Sequence, residues 1–448
     1  MIHILVLSLG KQPDGPIQTI RGVRPDRVVF ICSQESQDLI RAIQAQVPVP
    51  DFDADRDVMV LQQRRPGSNP EASNELDRLD SVYGQASALL ERLGQEHPGC
   101  RLTVDYTGGT KSMGAGLAMA AIDDPVANLQ LTTLEQRVPG STVITGHSFP
   151  VPVPTEAIHA HRLLSLELPT LLQRFDYAAA EGAIGRVRRG LQPESEAFRT
   201  LTRLETLMVA LDAWDRFDHR TAVQLLNGRG REPAILALLL PLKRVVSSRK
   251  LVDARAREED WSSMPGHGLE LAEDLLRNAE RRAAQHRYDD AVGRLYRAVE
   301  LTAQLLLRTG VGDYVGEEGI DTSDVATERL PEILQPTYRS LHERKGVDQP
   351  LKLGLVESYE LLAALLHPVG LRWKQRDENL RRALKLRNAS QFAHGFEAIG
   401  YSGWQTLWST CGLFVQEAIA EIRDKKGLDP LPQLPFSLAA TGAEPLAR

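Results

Sequence analysis

The 448-residue chain contains few cysteines. Cys32, Cys100 and Cys411 lie far apart and form no pair with metal-ligand spacing. They read as reduced thiols of a cytoplasmic protein. No stretch approaches the ~18 consecutive apolar residues of a membrane span, so no membrane partner is expected. The first ten residues, MIHILVLSLG, are apolar, but they lack a basic leader and are too short for a signal peptide. They suit a first core strand. A positive global field is also missing. The net charge is -6, so any contact with nucleic acid must be local. What remains is ordinary globular composition, 42% hydrophobic and 25% charged, at a length that suggests two to four domains.

Residues 1 to about 150 alternate strand-like and helix-like segments. Apolar runs at 2–9, 27–33 and 58–62 read as strands. Residues 76–93 have helical periodicity, with Leu79, Val82, Leu89, Leu90 and Leu93 on one side. Residues 102–106 form a strand, 113–122 a helix of small residues, and 128–133 another strand. This alternation predicts an α/β domain with a parallel sheet and helices on both faces. Residues 148–154, SFPVPVP, read as a stiff linker.

After that linker the strand signals nearly vanish. Residues 155–260 read as a helical connector. A weak echo appears there and just beyond, at Arg174-Phe175-Asp176, Arg216-Phe217-Asp218 and Arg287-Tyr288-Asp289. Each copy precedes an alanine-containing amphipathic stretch, which suggests helical hairpins. The spacing is too irregular for a solenoid. Residues 261–426 read as an all-helical domain, with helices at 355–367, 379–396 and 404–425. Residues 427–448 are rich in proline and alanine and read as a flexible tail.

Two motifs carry chemistry. In the first, the strand at 102–106 runs into Thr107-Gly108-Gly109-Thr110-Lys111-Ser112. Two glycines permit a sharp bend and close backbone approach. The first amides of the next helix, three hydroxyls and one lysine then face a common space. That combination suits an anion at the carboxyl end of a parallel strand. The P-loop spacing is absent, because Thr110 separates Gly109 from Lys111. Ser8, Leu9, Gly10 and Lys11 after the first strand, and Ser33 and Gln34 after the second, should lie on the same edge. The same residues also suit a plain strand-to-helix turn.

The second motif is Arg387-Asn388-Ala389-Ser390-Gln391-Phe392-Ala393-His394. Residues seven apart on a helix share nearly one face. Arginine is a permanent cation shaped for phosphate, and histidine moves protons near neutral pH. Neither needs a metal. On a helix the two would stand ~10 Å apart along the axis, which favours a site shared between two protomers. A basic run precedes them: Arg372, Lys374, Arg376, Arg381, Arg382 and Lys385. Such a run suits an RNA backbone or a merely solvated helix face.

Together these features resemble the CARF–HEPN ribonucleases of type III CRISPR systems. The CARF motif Asp-x-Thr-Gly-Gly-Thr-Lys is matched at Asp105, Thr107, Gly108, Gly109, Thr110 and Lys111. The HEPN signature is matched in its longer form by Arg387 and His394, with Asn388 directly after the arginine. The order is CARF at 1–150, connector at 155–260 and HEPN at 261–426. The resemblance implies a homodimer and a cyclic oligoadenylate activator bound across its CARF domains. It implies an endoribonuclease with no metal and no cofactor, acting on single-stranded RNA. The RNA 2′-hydroxyl would attack its own phosphodiester. His394 would shuttle protons, and Arg387 would stabilise charge at phosphorus. Asn388 and Ser390 would hold the loop or the phosphate. Lys111 is the candidate if the CARF site also cleaves its activator. Two rival readings stay open: a non-catalytic regulator with an inactive HEPN domain, and a helical interaction protein.

Overall fold

The computed structural model describes residues 1–62, 75–134, 148–258, 261–388 and 395–442. The chain divides into two compact units, Met1–Ile158 and His159–Arg448.

The first unit is built on a six-stranded sheet: β1 (His3–Ser8), β2 (Arg27–Ser33), β3 (Val58–Leu61), β4 (Arg101–Asp105), β5 (Ala127–Leu134) and β6 (Ser148–Pro152). The order is β3-β2-β1-β4-β5-β6, and the first five strands are parallel. Successive side chains of a strand point to opposite faces. Accordingly Ile4, Val6, Val29 and Ile31 pack on one side, with the helices Leu79–Glu96 and Lys111–Asp123. Leu5, Leu7, Val28 and Phe30 pack on the other, with Asp14–Val23 and Leu39–Gln44. Strands covered on both faces read as unbroken apolar runs, which is why they stand out in the sequence.

The expected linker at 148–154 is corrected. Its first five residues form β6, an antiparallel edge strand on β5, with Val151 opposite Leu131. Proline at every second position (Pro150, Pro152, Pro154) puts all the missing N–H groups on one edge of the strand. The odd-numbered residues remain free to donate inward, as Val153 does to the Leu129 carbonyl at 2.9 Å.

The second unit is helical and holds two hydrophobic cores. One gathers residues between Leu163 and Val246 together with Leu434. The other gathers residues from Leu269 to Leu431 together with Val245. A buried charge network knits the helix Glu196–Asp215 to the helix Glu270–Ala284. Asp215 accepts from Asn278, Arg281 and Arg282, while Asp274 accepts from Trp214 at 3.1 Å. The tail is also corrected through residue 442. Leu431 and Leu434 are buried, and the Pro435 carbonyl accepts from the Tyr177 hydroxyl at 2.8 Å. Among the described residues no helix is long and apolar enough to cross a membrane.

Candidate functional sites

The sheet order reverses between β1 and β4. In open α/β sheets this switch point opens a crevice at the carboxyl ends of the two strands. The loop 106–110 lies there, between β4 and the helix Lys111–Asp123. Its glycines are required. A Cβ on Gly108 would stand 2.1 Å from the Ser8 carbonyl oxygen, and Gly109 has φ +86°. The Ser8 hydroxyl donates to the Gly108 carbonyl at 2.7 Å, and a Cβ on Gly10 would meet the Gly109 nitrogen at 3.0 Å. The segments after β1 and β4 are therefore pressed together.

The loop is anchored from below by Asp105, which is buried. One carboxylate oxygen accepts from the Thr107 amide at 2.9 Å. The other accepts from Thr132 at 2.7 Å, Gln130 at 3.2 Å and Thr19 at 3.3 Å. The Thr107 hydroxyl accepts from the Thr132 amide at 2.7 Å. Thr19, Gln130 and Thr132 escaped the sequence reading, since nothing local ties them to Asp105, 25 or more positions away.

Hydroxyls expected to face a ligand have other work. Thr110 caps its helix by accepting from the Met113 amide at 3.2 Å, and it donates to the Leu76 carbonyl at 2.9 Å. Ser112 donates to the Asp77 carbonyl at 3.2 Å. Ser33 caps the turn Gln34–Ser36. Leu9 is a core side chain, 1% exposed, so its expected place in the lining is corrected to its backbone alone. Lys11, Gln34, Gly109 and Lys111 are exposed, and Gly10 is partly so. The cradle thus offers helix-start amides and two lysines more than hydroxyls.

In the second unit, Arg387 sits in the last turn of the helix Pro368–Asn388. Trp373, Leu380 and Leu384 form the buried stripe of that helix, and Arg387 continues it. Trp373 is fixed by stacking on Tyr359, with centroids 4.1 Å apart and planes within 5°. At the far end the Arg387 guanidinium lies over the Tyr296 ring, 4.3 Å from its centroid. Tyr296 belongs to the helix Tyr288–Thr309. Asp289, two turns earlier on that helix, accepts from the Ile399 amide at 3.2 and 3.3 Å.

The expectation of one helix through 396 is corrected at its far end: the helix is described to Asn388, and residues 395–400 are not helical. Ser390 and His394 lie outside the described residues, as does the side chain of Asn388. The basic run is largely paired. Arg372 meets Glu421 at 2.7 Å, Arg376 meets Glu417 at 3.0 Å, Arg381 meets Glu360 at 3.1 Å, and Arg382 meets Glu378 at 3.0 Å. These are exposed or half-exposed pairs, weak enough to open for a polyanion. Burial pushes the Cys32 thiol up to about 11 and the Cys411 thiol to about 12, so neither is a thiolate at neutral pH.

Residues 264–417 match a family model described as the Csm6 HEPN domain. The chain is also similar to a solved structure, Enterococcus italicus Csm6 bound to cyclic hexa-2′-fluoro-hexa-dAMP. The identity is 13%, the TM-score is 0.55, and 95% of each chain is covered. The chain has the CARF–HEPN fold of Csm6-like proteins. No match is found among curated proteins. The switch-point cradle lies in the first unit, and Arg387 falls within the HEPN match.

Proposed function

We propose that this chain is a CRISPR-associated endoribonuclease for single-stranded RNA, activated by a cyclic oligoadenylate. The observation that carries the reading is the Csm6 HEPN match over 264–417, which encloses both Arg387 and His394. The activator assignment rests on the cradle at the switch point and on the cyclic oligonucleotide bound to the similar Enterococcus italicus protein. A cyclic oligoadenylate presents several phosphates, which suits helix-start amides flanked by Lys11 and Lys111.

The chemistry follows from the residues. Arg387 binds the scissile phosphate and stabilises the charge that grows on its oxygens. His394 takes or gives the proton at the 2′-oxygen or the leaving 5′-oxygen. Asn388 and Ser390 hold the phosphate or the loop. The products carry a 2′,3′-cyclic phosphate and a 5′-hydroxyl. No step in this scheme needs a metal. Two copies acting as a cytoplasmic homodimer bring two Arg/His sets together and give a symmetric activator a matching two-fold axis.

The paired basic run favours one second reading, a regulator that binds the activator without cutting RNA. A fluorescent single-stranded RNA, incubated with and without cyclic tetra- or hexaadenylate, separates the two. Cleavage that needs a cyclic oligoadenylate and persists in EDTA is expected. Activator binding with no cleavage leaves the regulator. Full loss in EDTA, restored by magnesium, points to a different active site.

A further inference from the structure

The ribonuclease reading needs the Arg387 guanidinium in one place, yet arginine is long and rich in rotamers. We propose that Tyr296 is a positioning residue for Arg387; the proposal rests on that ribonuclease reading. The guanidinium carbon lies 4.3 Å from the Tyr296 ring centroid, well inside the ~6 Å range of a cation over an aromatic face. A guanidinium held over an aromatic ring is attracted by the π face and needs no carboxylate to keep it there.

The platform is itself fixed. Tyr296 packs against the hydrophobic core, and its helix neighbours Leu295 and Val299 are buried. Arg387 arrives from a helix anchored by Trp373 and Leu380 in the same core. Both partners of the contact are thus carried by helices anchored in one core. The bond from the Ile399 amide to Asp289 ties the same helix to the returning chain. The helix Tyr288–Thr309 therefore receives the polypeptide at 387 and again at 399.

The test uses the full chain, cyclic tetra- and hexaadenylate, and a fluorescent single-stranded RNA. Tyr296→Phe keeps the ring and should cleave within about two-fold of wild type. Tyr296→Leu keeps apolar bulk but removes the π face. It should lower kcat roughly ten-fold, with KM for RNA and melting temperature near wild type. Three outcomes overturn the proposal: Tyr296→Leu cutting at the wild-type rate, Tyr296→Phe failing as badly as Tyr296→Leu, or a Tyr296→Leu loss that tracks a lowered melting temperature. Arg387→Ala tells the two readings apart. If it cuts RNA normally, the ribonuclease reading itself falls. If it is inactive while Tyr296→Leu is normal, only the role of Tyr296 falls.

Discussion

Gly108→Ala would drive a methyl group into the backbone of β1. The added carbon would stand 2.1 Å from the Ser8 carbonyl oxygen, 3.0 Å from its carbon and 3.1 Å from the Gly10 nitrogen. None of these atoms belongs to a flexible side chain, so the loop must move away from the sheet. That movement breaks the 2.7 Å bond from the Ser8 hydroxyl to the Gly108 carbonyl. Overpacking costs about 1–3 kcal/mol, and the lost bond about 1 more. The total is about 2–4 kcal/mol. For a unit of this size each kcal/mol is worth about 2–4 °C, so its melting transition should fall by roughly 5–15 °C. Gly109→Ala is the control. Its φ of +86° costs a side chain about 1 kcal/mol, but the nearest atom is the flexible end of Met113, at 2.9 Å. Scanning calorimetry should rank Gly108→Ala well below Gly109→Ala. Equal melting temperatures, or a Gly108→Ala transition within about 1 °C of wild type, would refute the claim that close approach to β1 explains this glycine.

Lys111→Ala should leave melting unchanged, since its side chain is exposed. Calorimetry should show affinity for cyclic oligoadenylate reduced about 10–150-fold, the worth of a hydrogen bond to a charged group; unchanged affinity would reduce the cradle to a turn. Arg387→Ala and His394→Ala should each slow RNA cleavage by roughly 10²–10⁴ while sparing activator binding. If both cut RNA at the wild-type rate, the HEPN assignment is wrong. Asp57 offers a pH test. Burial raises its carboxyl pKa, but hydrogen bonds from Arg56, the Asp53 amide and Arg27 outweigh that and hold it below the usual range. A depressed carboxylate stabilises the fold above about pH 4 and loses that contribution as the pH falls further. Asp57→Asn should therefore lower the melting temperature at pH 7 and flatten the acid limb; an unaltered acid profile would remove Asp57 from the account.

The parallel strands were legible because full burial leaves a continuous apolar run. The glycine turn after β4 was legible because only glycine tolerates such approach and such φ. What failed depends on partners remote in sequence. Thr110, Ser112 and Ser33 look like free hydroxyls until the carbonyls and amides they meet are placed. The basic run looks unpaired because Glu360, Glu417 and Glu421 lie on other helices, 21 to 49 residues from Arg381, Arg376 and Arg372. Residues 427–442 look frayed because their prolines hide Leu431 and Leu434, which reach two different cores.

The aromatic echo is a subtler case. Phe175, Phe217, His286 and Leu366 all have positive φ, between 53° and 65°. Each ends a helix with the same pair of bonds. The amide of the left-handed residue donates three residues back, and the next amide donates five residues back, as in Phe217 to Trp214 and Asp218 to Ala213. Glycine normally takes this place, and a side chain there costs roughly 1 kcal/mol. In three of the four copies the side chain meets the ring two residues on. The centroid distances are 6.4 Å for Phe175 and Tyr177, 5.1 Å for Phe217 and His219, and 6.0 Å for His286 and Tyr288. Contacts of this size offset the backbone cost. The third copy is therefore centred on His286, one residue before the Arg287 that opens the matching sequence triplet. The echo records a turn that joins helix to helix, and the irregular spacing follows because the device constrains the joint and leaves the helix lengths free.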